Sequence, residues 1–409
     1  MKIGIFGGSF NPAHVGHLRA LEAFCNTLEL DRVYVLPSFV PPHKQMPSLW
    51  ADFEDRLNMA KVCFEKAKLK TCEVVFSDLE KRLYEETGEK SYTKLTLERL
   101  MSENQGEFYL FVGTDMFVTL HSWMMPEFIF KNAVISVMSR DGDKEIIEKF
   151  KKRYEKEFSA RIEVIREPHL PASSTKVRED IKNHLVSDLI TKEVKDYIEK
   201  NSLYRELPAR EELLNIVKGE IKESRFIHTL SVEKEALFLG NMLCPHFSDD
   251  LSKAAILHDV TKYWSFEKQV DYLKENGVDL SEEDLKSPNT LHALSGSIFA
   301  KNLGAKKSVC SIIEKHTTAD ADMSLMEKIV YISDFIEENR NFESCKEERR
   351  LLHNALSGEK SYKERLALLD DSLLRILERT VVILNREGVF IHPRTLRALD
   401  FYKSDKTKE

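Results

Sequence analysis

Gly4-Ile5-Phe6-Gly7-Gly8-Ser9-Phe10-Asn11-Pro12-Ala13-His14-Val15-Gly16-His17 begins as an apolar strand, breaks at paired glycines and resumes as a helix. Glycines at such a break let the backbone approach a ligand closely. The helix start beyond them offers unpaired N–H groups and the positive end of a dipole to a phosphate. His14 and His17 flank Gly16 at a spacing of three, so both rings can project toward the same phosphates and donate hydrogen bonds to a transferring phosphoryl group. A bare HxGH also fits an ordinary strand-to-helix turn carrying two surface histidines, so the surrounding chain has to decide.

Outward from this run, short apolar segments alternate with helical patterns as far as residue 200. Strands are predicted at 2–6, 32–36, 74–77, 108–112, 134–138 and 161–165, with helices at 18–28, 53–67, 93–102 and 144–158. Such alternation predicts a parallel sheet in an α/β, Rossmann-like domain. After residue 210 the strand patterns stop, and 211–243, 251–259, 266–275, 294–303, 307–315 and 325–340 carry helical periodicity, the pattern of an all-α domain. The charged stretch 201–210, with Pro208, is the natural junction, giving domains 1–202 and 203–409.

Composition narrows the classes further. The 409 residues are 42% hydrophobic and 32% charged with a net charge of −7, an ordinary globular balance that favours neither a nucleic-acid binder nor a binder of acidic membranes. A local positive site for a small phosphorylated ligand stays compatible with that average. Six cysteines without a CxxC pair indicate neither a disulfide framework nor a zinc knuckle. The chain shows neither a signal-peptide pattern nor an apolar run approaching 18 residues, so a cytoplasmic protein is expected.

A second phosphate signal lies in Ala172-Ser173-Ser174-Thr175-Lys176-Val177-Arg178, where hydroxyls precede a predicted helix and cations occupy its first turn. Taken alone this is an ordinary helix cap. Cations there oppose the helix dipole, and a bound anion accounts for Lys176 and Arg178 together. With Pro41-Pro42-His43-Lys44, Ser91-Tyr92-Thr93 leading into Thr96-Leu97, and Gly113-Thr114-Asp115 followed by Trp123, the first half resembles the bacterial nicotinate-nucleotide adenylyltransferases of the HxGH nucleotidyltransferase superfamily. Asn11 departs from the aspartate common at its position.

The resemblance implies ATP over Gly7, Gly8, Ser9, Phe10, His14 and His17, with Ser174, Thr175 and Arg178 on its phosphates and Lys44 reaching them from its loop. It places nicotinate mononucleotide at Tyr92, Thr93, Asp115 and Trp123, and magnesium on the leaving pyrophosphate. In-line attack by the mononucleotide phosphate on the α-phosphorus needs no protein nucleophile, so positioning and charge stabilisation carry catalysis.

In the helical half, His228, the pair His258-Asp259, His292, His316 and Asp334 sit in or beside apolar helical segments. Any one alone is more often a satisfied core residue than a ligand. Together, imidazoles and carboxylates suit a divalent iron or manganese ion, and a helical bundle can gather them at one core site. Lys262 is expected one helical turn beyond His258-Asp259, on the same face.

The segments Arg225-Phe226-Ile227-His228-Thr229, Leu257-His258-Asp259-Val260-Thr261-Lys262, Leu291-His292-Ala293, Glu314-Lys315-His316-Thr317-Thr318, Tyr331-Ile332-Ser333-Asp334-Phe335-Ile336-Glu337 and Ile391-His392-Pro393-Arg394-Thr395-Leu396 resemble the HD-domain metal-dependent phosphohydrolases. Within these they are most similar to the bacterial family that splits diadenosine tetraphosphate into two ADP. That resemblance implies a dinuclear transition-metal centre, iron before manganese, on the six metal-site residues with Asp259 bridging. Asp259 and Lys262 would be catalytic, and Lys262 and Arg340 would lie beside the phosphates. Two cations would lower the pKa of water and clamp the attacking and leaving oxygens. Two other expectations compete for this domain: a general nucleotide phosphatase or cyclic-nucleotide phosphodiesterase, and a nucleotide-binding module that regulates the first half.

Overall fold

The computed structural model describes residues 1–43, 46, 49–139, 142–166, 172–183, 185 and 187–406, and the chain divides into two units, Met1–Arg205 and Glu206–Glu409. Lys44 lies outside the described residues.

In the first unit six parallel strands, β1 (Lys2–Gly8), β2 (Arg32–Pro37), β3 (Glu73–Phe76), β4 (Glu107–Gly113), β5 (Ala133–Ser139) and β6 (Ile162–Arg166), form one sheet in the order β3-β2-β1-β4-β5-β6. Ile3 sits beside Arg32 on one side and Phe108 on the other. Strand alternation explains the two cores. Ile3, Ile5, Ile135 and Val137 face one layer, whereas Phe6, Val33, Val35 and Val134 face the other. The order reverses between β1 and β4, and the gap beyond the carboxyl ends of two such strands is where an open α/β sheet binds ligands. Gly7 and Gly8 end β1 and Gly113 ends β4, which puts the glycine turn at that gap.

The second unit is helical, as expected, and packs around a main apolar core from Leu213 to Tyr402, with a smaller cluster of Val270, Leu273 and Leu291 beside it. The expected stretch 211–243 is two helices, Arg210–Glu220 and Glu223–Leu243, separated at Ile221 and Lys222, whose backbone is extended. Glu223–Leu243 lies close against Ser248–Leu257 because Gly240 has no side chain; a Cβ there would meet Leu251 at 2.4 Å. The helix Leu325–Ile336 starts on a capping box in which Ser324 and Glu327 satisfy each other's backbone N–H groups, worth about 1 kcal/mol. That cap fixes the start of the helix that carries Asp334. Among the described residues no helix is long and apolar enough to cross a membrane.

Lys262 is not on a helix with His258 and Asp259. The helix ends at Leu257 and gives way to three-residue turns closed by Val260 N to Leu257 O, Lys262 N to Asp259 O and Trp264 N to Thr261 O. Thr261 anchors this turn by donating its hydroxyl to His292 O at 2.9 Å.

Candidate active sites

The helix Val15–Leu28 begins at His14, where Nδ1 of His14 accepts His17 N–H and Nδ1 of His17 accepts His14 N–H, both at 3.3 Å. Two neutral imidazoles bonded this way carry their protons on Nε2. The rings stack with centroids 3.7 Å apart, and Gly16 permits it, since a Cβ there would come within 3.1 Å of His14 Nδ1. Burial lowers His14 to a pKa of about 4, so its ring is a neutral donor near pH 7.

The glycine turn rests on buried polar groups. Asn11 donates to Leu49 O at 3.1 Å and accepts from Ala51 N at 3.0 Å and Tyr204 Oη at 3.1 Å. The amide at this departure therefore uses a donor that an ionised carboxylate lacks. Arg56, fully buried, donates to the carbonyls of Ser9 at 2.9 Å, Ser38 at 2.8 Å and Ala51 at 3.1 Å. Phe10 sits at φ 45°, an unfavourable backbone region for a side chain other than glycine, with its ring wholly buried against His17 and Phe64. Its ring belongs to the core, so only its backbone can serve a nucleotide.

Beside the turn opens a cavity of about 190 Å³ lined by Gly7, Gly8 and Ser9 on one side and Tyr92, Thr93 and Trp123 on the other. Trp123 stacks on His43 at 5.5 Å. Ser91 ties two loops together here, accepting Phe39 N at 2.9 Å and Val40 N at 3.2 Å. Glu80, also on the wall, is pushed up to about 7 by burial, against hydrogen bonds from Ser91 and Thr96 and the charge of Arg56. Asp115, in the first turn of Thr114–Thr119, is exposed and not part of this lining.

The helix Ser174–Lys182 is capped by Ser173, which accepts Lys176 N at 3.1 Å. Ser174 Oγ donates to Pro12 O at 2.9 Å, and Arg178 donates to Asn11 O at 2.7 Å and Thr175 Oγ1 at 3.2 Å, so this helix start is knitted to the glycine turn. Lys176 pairs with Asp180 at 2.9 Å. Its charge is thus answered one turn along the helix, and a bound anion is not needed to explain it.

In the second unit, His228, His258, Asp259, His292, His316 and Asp334 converge. Asp259, wholly buried, turns Oδ2 toward His258 Nε2 at 3.1 Å and His228 Nε2 at 3.9 Å. It turns Oδ1 toward His292 Nε2 at 3.0 Å and His316 Nε2 at 3.5 Å. Asp334 Oδ1 lies 2.9 Å from His228 Nε2. The groups His228/His258/Asp259 and Asp259/His292/His316 could each hold a metal ion.

The donors fit a divalent transition metal. Nε2 of His228 and His258 and Oδ1 of Asp259 are buried without a hydrogen-bond partner, a costly state that a cation relieves. Burial lowers His316 to about 4 and holds His258 and His292 well below the usual histidine range, leaving the neutral rings that bind metal.

Three cations border the cluster: Arg340, 2.8 Å from Asp334; Lys262, 3.0 Å from His292 Nε2; and Arg225, paired with Asp259. Burial and then the Arg225 charge lower Lys262 to about 8. Sequence reasoning did not single out Arg225, although its spacing of three before His228 puts both on one helix face. It also gave no role to Glu337, whose Oε1 lies 3.0 Å from His228 Nδ1. The Ile391–Leu396 stretch, one of the segments that carry the resemblance, is tied to the chain on either side of His316: Thr395 Oγ1 donates to Thr318 O at 2.8 Å and Arg394 pairs with Glu314 at 2.6 Å.

A cytidylyltransferase-like family profile matches residues 5–180, and an HD-domain profile matches residues 225–339. A "Probable nicotinate-nucleotide adenylyltransferase" of Caldicellulosiruptor saccharolyticus is 32% identical over 207 residues, which is 50% of this chain and 100% of that protein. One of Carboxydothermus hydrogenoformans with the same description is 35% identical over 208 residues, 50% of this chain and 98% of its own. A crystal structure from Clostridium acetobutylicum, described as a "predicted HD superfamily hydrolase involved in NAD metabolism", has 28% identity and a TM-score of 0.43, covering 49% of this chain and 99% of that one.

Proposed function

Because the first half of the chain belongs to the nicotinate-nucleotide adenylyltransferase family, we propose that it moves the adenylyl group of ATP to nicotinate mononucleotide with release of pyrophosphate. The observation that supports this most is the reciprocal His14/His17 helix start beside a cavity lined by the glycine turn and by Tyr92, Thr93 and Trp123. In this reading ATP lies along Gly7, Gly8, Ser9 and the backbone of Phe10. Its phosphates meet the Nε2–H groups of His14 and His17 and the helix start at Ser174, Thr175 and Arg178.

The mononucleotide phosphate attacks the α-phosphorus, the bond to the β-phosphate oxygen breaks, and pyrophosphate leaves; a bound magnesium ion would supply charge neutralisation for that leaving group. Fixed neutral donors stabilise the charge that develops, since the chain forms no covalent intermediate. Lys44 is assigned to the phosphates and Asp115 to the mononucleotide on the family likeness alone. The test is pyrophosphate release from ATP that depends on nicotinate mononucleotide.

For the HD domain the proposed reaction is symmetrical hydrolysis of diadenosine tetraphosphate to two ADP. Asp259 would bridge two cations, with His228, His258 and Asp334 on one and His292 and His316 on the other; the two ions would supply water activation and charge stabilisation. Arg225, Lys262 and Arg340 are suited to the charge of a polyphosphate bridge. The observation that supports this is Asp259 facing a different histidine pair with each carboxylate oxygen. Metal analysis, for iron against manganese, joined to a screen of diadenosine tetraphosphate, mononucleotides and cyclic nucleotides tests it. ADP as sole product from the dinucleotide supports the assignment. Orthophosphate from mononucleotides favours a general phosphatase, and no turnover by the metal-loaded protein favours a regulatory module.

A further inference from the structure

We propose that Glu337 is a positioning residue for the metal ion at His228, holding that imidazole in the tautomer that presents Nε2 to the cation. The proposal rests on the metal-dependent hydrolase reading above and adds to it a residue outside the ligand set.

A metal-binding histidine almost always donates the proton of its other ring nitrogen to an acceptor that fixes the ring. His258 and His316 find one locally: Nδ1 of His258 lies 2.6 Å from Ala255 O, and Nδ1 of His316 lies 2.7 Å from Ile313 O. Both follow the last residue of a helix, Ser248–Leu257 and Lys307–Lys315, where carbonyls lack helical partners. His228 has no such resource. It sits in the second turn of Glu223–Leu243, where the nearby carbonyls are spent on the helix itself.

The acceptor comes from 109 residues away. Glu337, 1% exposed, brings Oε1 to 3.0 Å from His228 Nδ1, while Asp334 Oδ1 stands 2.9 Å from Nε2 of the same ring. The two acids are three residues apart, at the end of Leu325–Ile336, so that helix end brings a carboxylate near each nitrogen of one imidazole.

Glu337 is itself held. Its Oε2 accepts Asn339 N at 2.6 Å, its carbonyl accepts Arg349 Nη2, and Asn339 Nδ2 donates to Ser231 Oγ at 2.6 Å, on the helix of His228. The loop after the acid is thus fastened to the histidine's own helix. A carboxylate acceptor also makes the ring a stronger ligand than a carbonyl does.

The test uses the full chain and Mn²⁺, with affinity read by chelator competition and the metal-free melting temperature read in parallel. Glu337→Gln keeps an oxygen acceptor and loses the charge; Glu337→Ala loses both. Metal affinity should fall in the order wild type, Glu337→Gln, Glu337→Ala, by about 10-fold and up to about 100-fold, as for other such partners. Partial rescue by Gln at an unchanged metal-free melting temperature separates positioning from a structural role. Equal Mn²⁺ affinity in wild type and Glu337→Gln together with Glu337→Ala overturns the proposal and leaves the hydrolase reading standing. A wild-type chain that binds neither Mn²⁺ nor Fe²⁺ overturns both. If Glu337→Ala does not fold, Glu337→Gln alone decides, by a loss or no loss of affinity.

Discussion

His14 and His17 accept, each at its ring Nδ1, the backbone N–H of the other, at 3.3 Å in both directions. The pair therefore starts the helix and aims two Nε2–H donors at once, so one substitution can disturb two things. His17→Ala should lower kcat for adenylyl transfer by about 10²–10³, the worth of a transition-state donor. It should cost about 1 kcal/mol of stability through the lost cap. His17→Asn, whose side-chain oxygen can still accept, should keep the stability and lose the rate. An unchanged kcat in both variants removes His17 from the mechanism.

Nicotinate mononucleotide should be used in preference to nicotinamide mononucleotide. Thr93 lines the cavity and is the first residue of the helix Thr93–Glu103, whose start favours an anionic ring substituent. A preference in kcat/KM of about tenfold or more, or about 1.4 kcal/mol, is expected. Equal values for the two substrates would sink the assignment.

Glu80 should make stability fall with rising pH. Burial, the largest influence, holds its folded pKa at about 7 against an ordinary 4.5, so the folded state keeps this proton where the unfolded state has lost it. The contribution is full below pH 4.5 and is lost as pH rises toward 7, on the order of 3 kcal/mol in all. Glu80→Gln should flatten this component. Melting temperatures at pH 5 and pH 8 check it: the drop between them should be smaller in the variant, and an equal drop would refute the claim.

Asp259→Ala should remove bound transition metal and diadenosine tetraphosphate hydrolysis while leaving adenylyl transfer within about twofold. The substitution deletes a ligand facing both histidine pairs, which leaves any cation under-coordinated. The glycine turn and its cavity rest on cores running from Ile3 to Tyr204, inside the first unit. Metal content and both activities, measured on one preparation, provide the check. A joint fall in a folded protein would favour the regulatory reading of the HD domain.

The strands and the six His and Asp residues that converge in the second unit were legible because their signals are local. An apolar run bounded by glycine reads as a buried strand, and an adjacent His-Asp pair closing an apolar helical run is rare enough to notice. Lys262 shows where that logic stops. Helical spacing predicted its face, but Thr261 bonding to His292 O helps turn the chain out of the helix, and no periodicity reports a contact 31 residues away. For Lys176 a local partner was visible as well, since Asp180 lies four residues on and pairs with it. Glu337 and Asn11 do their work through carbonyls and rings brought near only by folding, so their residue types alone carried no message.

Tyr204 reaches back across 193 residues to hydrogen-bond Asn11, and its ring is buried with the core beneath the glycine turn. Any cut meant to free the first unit from the second must therefore fall after it. A fragment ending at residue 202 keeps every group assigned to ATP or the mononucleotide yet uncovers the floor on which the turn is built. That leaves only Arg205 to Ala209, between Tyr204 and the helix Arg210–Glu220, in which to part the chain.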